Sequence, residues 1–81
     1  MIHELKILPC YFEAILSGVK TFEVRRDDRI PAYSIGDTLL LYEYVPENEE
    51  YTGRSIKTEV SYILREYYVK PGYCIMSLKL N

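Results

Sequence analysis

Apolar and polar residues alternate from Ile2 to Leu8. Leu5 and Ile7 fall on one side, Glu4 and Lys6 on the other, which predicts a first strand. Pro9 ends that strand and suits the first turn of a helix. Tyr11, Phe12, Ile15 and Leu16 then recur at helical spacing, a stripe expected to face the core. Gly18 enters the left-handed region freely and can close the helix, which should run from Pro9 to Ser17. Alternation returns over Thr21–Arg26, with Phe22 and Val24 pointing one way and Thr21, Glu23 and Arg25 the other. Asp27–Gly36 reads as a polar loop, Asp37–Val45 as a strong strand and Pro46–Glu50 as an exposed acidic turn. Ser55–Leu64 sets Ile56, Thr58, Val60, Tyr62 and Leu64 on one face. Tyr73–Leu80, after the Pro71-Gly72 turn, does the same with Cys74, Met76, Leu78 and Leu80. One helix cannot cover five strands. The sheet is expected to curl into a small barrel, which would also remove exposed strand edges.

Length sets the scale of this fold. With 81 residues, 48% of them apolar, the chain can bury one core and not two, so residues 1–81 are expected to form a single domain. No apolar run reaches the length of a membrane span, so no membrane partner is expected. The Met1–Glu4 opening lacks the basic-then-apolar pattern of a secretory signal, and the expected location is the cytoplasm. Cys10 and Cys74 have no metal-type or redox-type spacing and sit among apolar neighbours. They read as two buried thiols in a reducing compartment, with no metal or cofactor expected.

A net charge of −2 argues against a sequence-blind grip on duplex DNA, which depends on neutralising many phosphates. Any nucleic-acid role must use a local basic patch. The charged stretch Lys20–Arg29 is the candidate. If Phe22 and Val24 fill the core, Glu23 and Arg25 look outward towards the helix end or a groove, with Lys20 at the helix-to-strand junction. Lysine supplies a point charge, arginine a planar fork for phosphate or carboxylate, and glutamate an acceptor for an exocyclic amine. The plainer alternative is a solvated face whose surface ion pairs contribute about 0–1 kcal/mol each.

Gly18, Lys20, Glu23 and Arg25 match the GxKxxExR signature of the activating signal cointegrator homology (ASCH) domain, a PUA-like family of small β-barrels. His3-Glu4-Leu5-Lys6, Leu16-Ser17-Gly18, Asp27-Asp28-Arg29, Ile35-Gly36-Asp37 and Tyr51-Thr52-Gly53-Arg54 extend the likeness to an uncharacterised branch of small bacterial and phage proteins. The resemblance implies an α+β fold: a PUA-like barrel of about five mostly antiparallel strands, with one short helix after the first strand. It also implies a cleft for RNA or a nucleotide, lined by Lys20, Glu23 and Arg25. Arg29, and the His3 and Lys6 opening, would add to that cleft by the same resemblance. One ASCH-like branch contains amidohydrolases that deacylate N4-acetylcytidine, and Lys20 would match their lysine. Those enzymes resemble GxKxxTxR, however, and Glu23 stands here where they have threonine.

Other residues leave the reading open. Asp27 and Asp28 could pair locally with Arg26 and Arg29. His3, the sole histidine, suits a structural or surface role. Glu43 shares its strand face with Leu39, Leu41 and Val45, where burial could raise its pKa and give it a role in a site, or it could equally lie at a barrel end in water. Nine tyrosines could stack bases beside a basic groove, pack within the barrel, or form an apolar patch for a protein partner.

Overall fold

The computed structural model of the protein describes residues 1–80. Six elements follow one another: β1 (Ile2–Ile7), α1 (Pro9–Leu16), β2 (Phe22–Arg26), β3 (Thr38–Val45), β4 (Glu50–Leu64) and β5 (Tyr73–Leu80). The strands form one mixed sheet in the order β1-β3-β4-β5-β2. Only the β1–β3 pair is parallel. The sheet curls into a half-barrel, and α1 packs into its concave side through Phe12 and Ile15. The expected closure is incomplete. β1 and β2 form the two outer edges, so a seam runs between them.

The alternation read from the chain sets the inner face. His3, Leu5 and Ile7 on β1 lie opposite Leu39, Leu41 and Glu43 on β3. Ile56 and Thr58 on β4 continue that layer, and the Thr58 hydroxyl donates to the Leu39 carbonyl at 3.0 Å, so this buried polar group is satisfied. Cys74 and Met76 complete the core from β5.

Three patterns depart from the simple period. A register shift between Val60 and Tyr62 turns β4 over, so Ile63 packs against the core while Tyr62 and Leu64 are exposed. The expected single face from Ile56 to Leu64 is therefore broken in the middle. β4 also begins earlier than expected, at Glu50, and Gly53 at φ +93° lets the strand pass through a conformation closed to most side chains. In α1, only the Phe12/Ile15 half of the predicted stripe is buried. Tyr11 and Leu16 are half exposed, and Cys10 is on the open side of the helix rather than buried.

Gly18 behaves as expected. At φ +82° it ends α1, and the Lys20 amide donates to the Ala14 carbonyl at 2.9 Å, drawing the chain back towards β2.

Candidate functional site

The β2 strand is turned the opposite way from the sequence expectation. Glu23 is buried at 4% exposure, whereas Phe22 and Val24 are 44% and 51% exposed. Strand pairing is the reason. Directly opposed residues of an antiparallel pair share a face. Glu23 is opposite Met76 and Arg25 opposite Cys74, and those two β5 residues belong to the core. The motif carboxylate and guanidinium therefore project from the inner face, at the edge where the barrel fails to close.

There the motif residues meet. Lys20 Nζ donates to Glu23 Oε1 at 2.5 Å and to the Phe22 carbonyl at 2.6 Å. Arg25 Nε donates to Glu23 Oε2 at 2.7 Å. Arg25 Nη2 reaches across the seam to the Lys6 carbonyl of β1 at 2.8 Å. Glu23 thus holds both cations, and both of its oxygens are engaged. Among the described residues, both Nη1 hydrogens of Arg25 and the remaining hydrogen of the Lys20 ammonium have no protein partner. One negative and two positive groups leave the cluster with one net positive charge.

These residues line an open pocket of about 430 Å³ together with Leu8, Tyr11, Phe22 and Val24. Lys20 Nζ lies 4.9 Å from the Phe22 ring centroid and 5.4 Å from that of Tyr11. The pocket therefore combines a polar floor bearing a positive charge with half-exposed aromatic walls. Its size falls within the range of small-molecule sites.

Residues 2–78 match the family described as Domain of unknown function (DUF3850). The chain belongs to the DUF3850 family. It is also 40% identical over 60 residues to the "Uncharacterized 12.9 kDa protein in GpA 3'region" of Escherichia phage P2. That alignment covers 74% of this chain and 51% of the phage protein, so the chain spans about half the length of the curated relative it matches.

In this DUF3850 domain the side-chain functional groups of the remaining sequence candidates lie apart from the seam cluster. Lys6 contributes its carbonyl, but its ammonium turns away to the outer face and sits 4.4 Å from the Tyr44 ring centroid. Arg29 is exposed, with its guanidinium 5.9 Å from the Tyr33 ring centroid, and is not part of the pocket lining. His3 is buried at the other end of β1. Its Nε2 is 2.8 Å from Asp37 Oδ2, and its ring lies 4.6 Å from that of Tyr33. Asp37 also accepts from the Ser34 amide and faces the terminal amine of Met1. Burial alone would raise the Asp37 carboxyl, but these donors outweigh it and hold the group below its ordinary value.

Glu43 is buried rather than at a barrel end in water, and its pKa moves opposite to the raised value that burial in an apolar stripe would give. Arg54 Nε donates to Glu43 Oε1 at 2.9 Å, the Thr52 hydroxyl donates to the same oxygen at 2.6 Å, and these bonds keep the carboxyl low despite burial. Arg54 also pairs with Glu13 of α1 and lies 4.6 Å from the Phe12 ring centroid. The group ties the early part of β4 to the helix. Asp27 likewise finds a distant partner. Arg65 Nε donates to it at 2.6 Å, and Arg65 Nη2 donates to the Tyr33 carbonyl at 2.7 Å, which fastens the β2–β3 loop.

The sequence reading missed Tyr11 and Phe22, which it assigned to the core. The signal was present in β5. Cys74, read as buried, and Met76 share one strand face, and pairing Glu23 and Arg25 with that face turns Phe22 outward.

Among the described residues, no group of three His, Cys, Asp or Glu side chains is placed to hold a metal ion. No helix among them is long and apolar enough to cross a membrane.

Proposed function

We propose that this domain is a cytoplasmic, ASCH-like binding module of the PUA-like class, which takes RNA or a nucleotide in the seam pocket. The observation that carries the reading is the convergence of Lys20, Glu23 and Arg25 on one concavity flanked by exposed aromatic rings. A phosphate suits the hydrogens of Lys20 and Arg25 that the protein leaves unpaired. A base suits the faces of Tyr11 and Phe22, since base–aromatic stacking contributes about 1–3 kcal/mol and tolerates any base. Glu23 has a different role from the base-reading acceptor expected of it. With both oxygens engaged, it is a positioning residue that aims the two cations. The amidohydrolase alternative has less support, because Glu23 stands where those enzymes have threonine and is tied to both Lys20 and Arg25.

The test is a titration of short single-stranded RNA and of nucleoside monophosphates into the wild type and Arg25→Ala. The variant should bind about tenfold more weakly, with a shallower salt dependence. Equal affinity in both proteins removes the proposal.

A further inference from the structure

A second cluster lies on the face of the sheet turned away from the core. Tyr42 and Tyr44 project from β3, and Tyr44 is paired with Tyr51 of β4. The Tyr51 ring stands edge-on to both neighbours: 81° and 6.1 Å from Tyr42, 64° and 5.0 Å from Tyr44. On β1, Glu4 Oε2 accepts the Tyr42 hydroxyl at 2.7 Å, which fixes the carboxylate beside the rings. Glu4, Tyr42 and Tyr51 line a pocket of about 360 Å³ that shares no lining residue with the seam pocket.

The chemistry of this corner is that of a cation site. Aromatic faces carry negative charge density and attract ammonium groups. The protein already uses the neighbouring faces in this way, since Lys6 Nζ lies 4.4 Å from the Tyr44 centroid and 5.9 Å from that of Tyr51. Two nearly perpendicular rings supply apolar walls, and Glu4 supplies the counter-charge. A primary ammonium is strongly hydrated and loses much by entering such walls. A methylated ammonium spreads its charge over methyl groups that pack against rings. A phosphate is repelled by Glu4.

We propose that Glu4, Tyr42 and Tyr51 form a binding site for a methylated ammonium group, carried either by a free quaternary amine or by a methylated lysine side chain. Aromatic-ring NMR signals are followed during titration with choline, its uncharged isostere 3,3-dimethylbutan-1-ol, and trimethyllysine in a short peptide. Choline or the peptide should shift Tyr42 and Tyr51, and the neutral isostere should bind about tenfold more weakly. The tighter of the two charged ligands identifies the source. Tyr51→Ala and Glu4→Gln should each weaken binding about three- to tenfold. Lys6→Gln should preserve or tighten it, because the variant removes a competing cation from the neighbouring rings. Equal binding of choline and its neutral isostere, shifts at Tyr11 instead of Tyr42 and Tyr51, or loss of binding in Lys6→Gln would each overturn the proposal.

Discussion

Replacing Glu23 with glutamine keeps the side-chain shape and removes the charge that holds two cations at the seam. Glu23 accepts one charge-assisted bond from Lys20 and one from Arg25. Such bonds contribute about 1.5–3 kcal/mol each in mutational series, and breaking a fully buried pair costs about 3–5 kcal/mol. The seam lowers that figure, because the Lys20 and Arg25 side chains remain 16% and 22% exposed and recover water when the carboxylate is lost. A cost of about 1–3 kcal/mol is expected. A domain of this length has a total stability of only about 4–12 kcal/mol, so the effect is large. It corresponds to a fall in Tm of about 5–20 °C. Urea unfolding of wild type and Glu23→Gln at low and high salt measures it directly, and the slope with denaturant should stay unchanged while the midpoint falls. A Glu23→Gln protein as stable as wild type at both salt concentrations refutes the view that this carboxylate anchors the two cations of the seam.

Three further outcomes follow from other parts of the fold. The folded Asp37 carboxyl is held below its ordinary value, so its contribution is fully present above about pH 4 and is lost as the pH falls through the lowered folded value. Asp37→Asn should flatten the acid limb of a pH–stability curve, and an unchanged limb would exclude that role. Arg54→Ala removes the donors that engage Glu43 and Glu13. It should speed amide exchange in the early part of β4 (residues 50–56) more than in β5, and uniform exchange would count against a local tie. A thiol reagent should modify Cys10 rapidly in the native protein and leave Cys74, whose thiol is pushed up by burial, unreacted until unfolding; two fast thiols would contradict the packing.

Strand positions, the short helix and its glycine stop were legible because hydrophobic period and turn chemistry are local properties. Face assignment was less secure, because it depends on pairing. Phe22, Val24 and Glu23 alternate equally well in either orientation, and only the opposed Cys74 and Met76 decide between them. The break between Val60 and Tyr62 has no mark in the alternation itself. The motif residues Lys20, Glu23 and Arg25 were found as a set, whereas Tyr11 and Phe22 were hidden by the assumption that large aromatic residues go inward. The apolar stripe left Glu43 open between burial and a barrel end in water, and its donors come from the Thr52–Arg54 stretch about ten residues later in the chain. No periodicity argument anticipates that meeting.

The two walls of the seam are carried by the first and last strands of a five-member ladder. Their separation depends on the accumulated twist of every strand between them as well as on the Arg25–Lys6 bond that spans the seam. A methyl group added or removed at Leu41 or Val60, far from any ligand, would alter the curl and so widen or narrow the mouth. In the other direction, a molecule that grips both rims acts as a clasp on the whole sheet, and its binding should slow exchange in the central strands as well as at the edge.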